Sequence, residues 1–286
     1  MKILLINSNR ELSPWPIMPV GLCRIATTLD RDGHSVEFLD LTFSKTPEED
    51  LEKALSENSP EAIGLSIRNI DDVDARRRRF YIPEILRELV EPIRRRLPNI
   101  PIVLGGSAVG VAPSLLLEKL EGDYAIGGDG ERAASRVFKA IEEGSESEDI
   151  GKIAGVITST GQSNPPDRIE DLSPYPFSQA YRWIDTERYA SYGSRYGIQS
   201  KRGCDRRCTY CSYPSIEGRS YRLFDPKKIV DEIEDAAEKT GMERFEFIDS
   251  TFNVPRGHAM AILRELAKRK LPIALDTMGL NPIAID

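Results

Sequence analysis

Over residues 1–145, short apolar β-prone runs alternate with amphipathic helical stretches. The strand-like runs are KILLIN (2–7), SVEFLDL (35–41), AIGLSI (62–67), PIVLGG (101–106) and DYAIGG (123–128). Each is apolar almost from end to end, as strands covered on both faces are. Between them, PVGLCRIATTLDRDG sets Leu22, Ile25, Ala26 and Leu29 on one face and stops at Gly33. TPEEDLEKALSEN opens on Thr46 as the expected N-cap, followed by Pro47 and a first turn of acids. IPEILRELVEPIRRRL, PSLLLEKL and ERAASRVFKAIEEG supply the remaining helices. Buried strands separated by helices demand a parallel sheet with helices on both faces. Right-handed crossovers then predict the flavodoxin-like strand order 2-1-3-4-5.

The composition changes after residue 145. SESEDIG, STGQSNPPDR and DLSPYPFS are rich in Ser, Pro and Gly around one hairpin-like strand, IAGVITS, so 146–197 reads as a linker. A second α/β pattern begins at GIQSKRGC and runs through DPKKIVDEIEDAAEKTG, RFEFIDS, PRGHAMAILRELAKRK and PIALDTM. The expected organisation is therefore a Rossmann-like domain over 1–145, a linker over 146–197 and a second α/β domain over 198–286. The net charge of −7 argues against a general nucleic-acid binder. The basic run ARRRRF (75–80) can touch phosphates but reads more simply as a solvated face. No apolar run approaches the roughly 18 residues of a membrane span, and MKILLIN is not a signal peptide. The expectation is a soluble, cytoplasmic protein.

Residues 203–213, GCDRRCTYCSY, hold Cys204, Cys208 and Cys211 of a chain with 4 cysteines. Clustering of this kind suits a metal site in a reducing compartment better than a disulfide framework. A structural zinc or an ordinary four-iron cluster takes four protein ligands. The remaining cysteine, Cys23, lies on the apolar face of the first helix and reads as a small buried hydrophobe. His258, far along the chain at the start of a helix, is the alternative fourth ligand of a zinc site. Without it, three thiolates leave one metal position open, and an open position can chelate a substrate or cosubstrate.

C-x₃-C-x₂-C with an aromatic residue, Tyr210, before the last cysteine, in a loop preceded by KRG, resembles the radical S-adenosylmethionine signature. The resemblance implies a 4Fe-4S cluster on Cys204, Cys208 and Cys211, with S-adenosylmethionine chelating the open iron. It also implies an adenine contact from the Tyr210 backbone, reductive cleavage to a 5′-deoxyadenosyl radical, and a reductant protein such as flavodoxin or ferredoxin. EGRSYRLFDPKKIVDEI and FEFIDSTFN resemble later parts of the family's six-stranded partial barrel. Asp249 and Ser250 end the second of these strands, where barrel sites are built, and the resemblance implies that they touch S-adenosylmethionine or substrate. Read from the residues alone, Ser250 or Asn253 can equally cap the helix that follows. Only three strand runs precede Asp286, so the expectation is a fragment of a longer enzyme, with a truncated relative of impaired activity as the alternative.

The front domain resembles the cobalamin (B12)-binding domain that precedes the radical domain in one branch of that superfamily. PVGLCRIATTLDRDGHSVEFLD, IGLSIRN, VLGGSAVGVAP and DYAIGGDGERA carry the resemblance. Ligands of such sheets gather at the carboxyl ends of the strands, here Asn7–Ser8, Ser66, Arg68, Asn69, Gly105, Gly106, Ser107, Gly127 and Gly128, with Glu131 just beyond. Paired glycines let backbone approach a flat ring. Many cobalamin carriers place D-x-H-x-x-G after the first strand, but NSNRELSPWPIMPVG holds no histidine. His34 precedes the second strand, at the opposite end of the sheet, and is expected at the surface; no protein histidine is expected on cobalt. Arg68 either occupies the space below the cobalt, where a cation cannot coordinate, or contacts a corrin amide, Asp71 or Asp72. The resemblance implies a radical enzyme that methylates a carbon of a small molecule or peptide. A ring-forming or rearranging enzyme is the alternative, and a non-catalytic cobalamin- or cluster-binding module is the rival of another class.

Overall fold

The computed structural model describes residues 1–72, 74, 76, 79–161 and 163–284. The chain divides into two compact units, Met1–Glu11 with Ile25–Arg168, and Leu12–Arg24 with Ile169–Asp286. The basic run at 75–80 lies partly outside the described residues.

In the first unit, β1 (Lys2–Asn7), β2 (Ser35–Asp40), β3 (Ala62–Ser66), β4 (Ile102–Gly105), β5 (Tyr124–Ile126) and β6 (Val156–Thr158) form one sheet of order 2-1-3-4-5-6. The first five strands are parallel and β6 runs antiparallel to β5. Ile3, Leu4, Leu5 and Ile6 are all fully buried, which is why β1 reads as an unbroken apolar run. Leu4 and Ile6 face a core built with Leu51, Leu55, Leu89, Ile93 and Leu116. These belong to α2 (Pro47–Asn58), to the helical stretch beginning at α3 (Ile82–Ile85) and ending at α4 (Glu91–Arg96), and to α6 (Pro113–Lys119), which follows α5 (Ser107–Val111). Outside that cluster, α7 (Gly130–Glu142) brings Phe138 against β3, and Ile25 of α1 (Val20–Arg31) meets Gly130 at the start of α7. A Cβ on Gly64 of β3 would meet Leu5 at 2.5 Å and Phe138 of α7 at 3.5 Å. The strand needs a glycine there to let Phe138 in.

Several local expectations change. Thr46 precedes α2 but makes no side-chain capping bond, so Pro47 and the first-turn acids start that helix without it. The single helix expected over 82–97 contains a π-helical turn, Leu86–Val90, in which the Glu91 N–H donates to the Leu86 carbonyl five residues back. Pro92 has no N–H and its ring crowds the preceding turn, so the helix widens before it. His34 is buried rather than at the surface, 7% exposed, with Nδ1 at 3.4 Å from the Met1 amino group. Burial lowers its pKa.

The stretch expected as a linker is divided between the units. Residues 146–168 add α8 (Ser147–Ile150) and the edge strand β6 to the first unit, where Val156 and Ile157 are buried. β6 lies antiparallel on β5, and the segment after it turns back to form the expected hairpin, bridged at Ile157↔Ser163 and fixed to the sheet by Gly127 N–H to the Gly155 carbonyl at 2.8 Å and Asp129 N–H to the Asp167 carbonyl at 2.9 Å.

The second unit holds α9 (Thr186–Ser191), β7 (Tyr196–Ile198), β8 (Lys201–Arg202), α10 (Tyr213–Glu217), β9 (Arg222–Leu223), α11 (Pro226–Thr240), β10 (Arg244–Phe247), α12 (Arg256–Arg269) and β11 (Ala274–Thr277). β7, β10 and β11 make a parallel sheet of order 11-10-7, while β8 and β9 pair antiparallel. Asp225 caps α11, accepting from the Lys227 and Lys228 N–H groups at 2.9 and 3.1 Å, and Gly241 ends it in a left-handed conformation. Helix α12 follows Pro255 with no side-chain cap. Neither Ser250 nor Asn253 caps it: Asn253 instead exchanges bonds with the backbone of Asn281 at 2.7 and 2.8 Å. The segment Leu12–Arg24 packs within this unit, with Ser194 Oγ donating to the Pro16 carbonyl at 2.6 Å.

Candidate functional site

The cysteine loop leaves β8 through Gly203, whose φ of +86° belongs to glycine and whose Cβ would run into the Ser220 carbonyl. Cys204 N–H donates to the Gly218 carbonyl at 3.1 Å and Cys211 N–H to the Cys208 carbonyl at 3.2 Å. Tyr221 hydroxyl donates to Asp205 at 2.8 Å, tying β9 to the loop. Cys204 is buried, Cys211 half-buried and Cys208 exposed, while Tyr210 is 90% exposed. Cys208 and Cys211 line an open recess of about 500 Å³ with Arg206, Arg207, Ser215 and Arg219. The three thiols share this loop but do not converge: among the described residues no three His, Cys, Asp or Glu side chains stand close enough to hold a metal ion. The donor chemistry still fits an iron–sulfur cluster. Three thiols sit on one glycine-hinged loop, Cys208 and Cys211 beside Arg206, Arg207 and Arg219, and thiol ligands from one short loop are what such a cluster takes.

Beneath the loop lies a buried polar cluster. Asp249, at the end of β10, turns both oxygens to the backbone and hydroxyl of the preceding strand end. It accepts from Ser200 N–H at 2.8 Å, Lys201 N–H at 3.2 Å and the Ser200 hydroxyl. Burial raises the Asp249 pKa against the pull of Lys201 and Ser200. The carboxylate expected to touch a cosubstrate is thus engaged in holding β7, β8 and β10 together. Ser250 Oγ donates to the Gly203 carbonyl at 3.3 Å. Glu217 accepts from Gly203 N–H at 3.1 Å and from Gln199 Nε2 at 3.0 Å, and burial raises its pKa. His258, the alternative zinc ligand, is buried with Nε2 at 3.1 Å from the Ser200 carbonyl. Lys201 is 1% exposed, and its ammonium has no hydrogen-bond partner among the described residues. Sequence reasoning alone misses Lys201 and Glu217. The signal is present in KRG, where a lysine occupies a two-residue strand at the foot of the loop.

At the carboxyl end of the front sheet, Asn7 donates to Asp40 at 2.8 Å and Thr42 at 2.9 Å, and the Ser66 carbonyl accepts from Ser8 Oγ at 2.8 Å. Arg68 is exposed at the tip of β3, where its carbonyl accepts from Ser107 Oγ at 2.7 Å. Arg68 and Asn69 line a cleft of about 30 Å³ with Asn9, Arg10, Tyr81 and Glu88. Arg10 pairs with Glu88 at 2.5 Å, and burial with the Glu11 carboxylate pushes the Tyr81 pKa up to about 12. The glycines separate by cause. Gly106 and Gly128, both at positive φ, admit the backbones of Ile67 and Asp167, so the chain's own packing explains them. A Cβ on Gly127 would only touch Gly155 and Ile157 at 3.8 Å, and Gly105 has nothing within 4 Å. Glu131 is buried in the first turn of α7. A cofactor with many hydrogen-bonding groups fits this end of the sheet on two counts, the open Gly105 and the buried Asn9 Nδ2, which has no partner among the described residues. His34 stands at the opposite end, beside Met1.

The B12 binding domain family matches residues 14–138 and the radical SAM superfamily matches residues 198–285. Tryptophan 2-C-methyltransferase of Streptomyces laurentii is 25% identical over 94% of this chain and 52% of its own length. The anaerobic magnesium-protoporphyrin IX monomethyl ester cyclase of Rubrivivax gelatinosus is 24% identical over 96% of this chain and 49% of its own length. Among solved structures, the radical S-adenosylmethionine methyltransferase TsrM from Kitasatospora setae, with cobalamin and a 4Fe-4S cluster bound, superposes with a TM-score of 0.82. It is 32% identical, over 94% of this chain and 52% of that one. The chain spans about half the length of these relatives.

Proposed function

We propose, for a chain that belongs to the B12-binding branch of the radical S-adenosylmethionine superfamily, that it forms the cofactor-binding core of a cobalamin-dependent enzyme that methylates a carbon centre. The observation that carries this reading is the presence in one chain of a three-thiol loop and a Rossmann-type sheet end with an open glycine and an unpartnered amide. Cys204, Cys208 and Cys211 would hold a 4Fe-4S cluster with one iron left for S-adenosylmethionine, and Gly105 and Asn9 would line the cobalamin site. Bound there, the cluster supplies the electron that cleaves S-adenosylmethionine, and cobalamin supplies a carrier for the methyl group.

The chain's own residues prepare both sites. Gly203 turns the loop, Asp249 and Glu217 hold its base, and Arg206, Arg207 and Arg219 offset thiolate charge. Arg68 brings a guanidinium that cannot ligate metal to the tip of β3. His34, at the far end of the sheet beside Met1, is not among the residues that would hold cobalamin. The front unit, read from sequence as 1–145, serves this role together with the edge strand up to Arg168. The substrate is a small molecule or peptide rather than a nucleic acid, in keeping with a net charge of −7. A flavodoxin- or ferredoxin-type protein supplies electrons. Among the described residues no helix is long and apolar enough to cross a membrane, and three reduced thiols suit the cytoplasm. Ring formation is the second reading, favoured by the likeness to a cyclase.

Anaerobic reconstitution tests the proposal. The chain should take up about four irons with matching sulfide, and cobalamin besides, and release 5′-deoxyadenosine from S-adenosylmethionine under reduction. Replacing Cys204, Cys208 and Cys211 together by Ala should abolish iron uptake. Release of S-adenosylhomocysteine marks methyl donation, and its absence favours ring formation. Stoichiometric zinc without iron overturns the radical reading.

A further inference from the structure

Lys201 is among the largest fully buried side chains of the protein, 1% exposed, and its Nζ has no hydrogen-bond partner among the described residues. A buried ammonium without a partner is among the costliest groups a core can hold. Carboxylates lie within electrostatic range but are engaged elsewhere. Asp249 is turned to Ser200 and the Lys201 backbone, Glu217 to Gln199 and Gly203, and Asp205 to the Tyr221 hydroxyl. Its contact with an aromatic ring is a weak one, the Tyr221 centroid at 5.3 Å. Burial lowers the Lys201 pKa, while Asp249, Glu217 and the Cys204 thiol raise it. Lys201 stands in β8, three residues before Cys204, and the Tyr221 hydroxyl donates to Asp205 inside the cysteine loop. The carboxylates in range offset part of the charge, but among the described residues none accepts a hydrogen bond from Nζ.

We propose that the Lys201 ammonium is the counter-charge of the iron–sulfur cluster, donating to its sulfurs from beneath Cys204 and making its one-electron reduction easier. This rests on the reading of Cys204, Cys208 and Cys211 as cluster ligands. Positive charge and N–H donors beside a cluster stabilise the more electron-rich state, so they raise its potential. Lys201 thus acts on the cluster directly, through its sulfurs, and takes no proton or bond in the reaction.

Lys201→Met keeps the length and removes the charge, and Lys201→Arg keeps the charge. In the full chain stripped of iron by chelation, Lys201→Met should melt several degrees above wild type, because an orphan charge is gone. Reconstituted to equal iron content, it should lose that advantage, and its cluster, titrated without S-adenosylmethionine, should show a more negative midpoint potential. Lys201→Arg should restore most of the potential. An iron-free Lys201→Met that melts below wild type would reveal a partner within the chain and overturn the proposal. So would equal potentials at equal iron content. A fall in S-adenosylmethionine affinity with the potential unchanged would assign the ammonium to that ligand's carboxylate instead. Wild-type chain that takes up zinc but not iron would sink the cluster reading itself, a failure distinct from the others.

Discussion

A methyl group on Gly203 would strike the Ser220 carbonyl oxygen, lie 2.9 Å from its carbon and come within 3.4 Å of the Gly218 carbonyl. All three obstacles are backbone, and φ is +86°, so neither a rotamer change nor a small shift removes the clash. Gly203→Ala should cost about 1–3 kcal/mol from the backbone conformation alone. It should also displace Cys204, whose N–H is held on Gly218, and lower iron retention after reconstitution. Gly105→Ala is the contrasting case. With nothing within 4 Å of the added carbon, it should leave the melting temperature unchanged yet weaken cobalamin binding, measured by retention on gel filtration. If Gly105→Ala binds cobalamin as wild type does, the ring does not lie on that carbon. The same two residues show what a sequence discloses. GG and RG are visible as glycines, but whether each admits a ligand or the chain's own backbone depends on long-range approach. Gly106 and Gly128, which read as ligand platforms, admit Ile67 and Asp167 instead.

At the scale of single elements, α11 carries a buried acid on an otherwise apolar face. Glu232 accepts from Gln179 N–H at 3.2 Å, and burial pushes its pKa up to about 7, with that bond and the Arg24 charge opposing. A carboxyl whose folded pKa exceeds its unfolded value of about 4.5 stabilises the fold most below the unfolded value. That contribution is lost as pH rises through about 7. Glu232→Gln keeps the acceptor and removes the charge. It should match wild type near pH 4.5 and exceed it above pH 7.5, by at most roughly 3 kcal/mol, in denaturant titrations across that range. A constant difference at all pH values would mean the charge is not the cause. Elements with a dense period were legible: β1 to β5, α2, α7 and α11 stand within a few residues of their expected places because burial on both faces, or one face, writes itself into composition. The β8–β9 pair was not legible. It is two residues long on each side, and Lys201, Arg202 and Arg222 do not look like strand residues until the loop they carry is seen. The C-x₃-C-x₂-C spacing therefore pointed to the ligands, while the buried cluster beneath them, made of residues distant in sequence, escaped.

For the molecule as a whole, the least legible feature was where the front unit ends. Its polar, Pro- and Gly-rich tail looks like a linker because an edge strand needs only one buried face and its return segment packs through backbone. β6 pairs with β5 through Tyr124↔Thr158, Ala125↔Ile157 and Ile126↔Val156. The return segment is held by Gly155 N–H to the Pro165 carbonyl at 3.0 Å and Asn164 N–H to the Val156 carbonyl at 3.2 Å. Arg132 grips Asp167 through two bonds, one of 2.8 Å. A chain ended at residue 145 would leave the outer edge of β5 unpaired and Arg132 without its carboxylate. An uncovered, apolar edge strand is a template for pairing with another chain. Both 1–168 and 1–145 lack the packing partners of Leu12–Arg24, so the comparison isolates residues 146–168: 1–145 should melt lower and form more oligomers than 1–168, read by light scattering at equal concentration. Asp167→Ala within 1–168 separates the two causes: it should lower the melting temperature while leaving the oligomer content of 1–168 unchanged, since the β5–β6 ladder is intact. If 1–145 and 1–168 melt and associate alike, residues 146–168 contribute nothing to the front unit, and its functional limit lies where the composition changes.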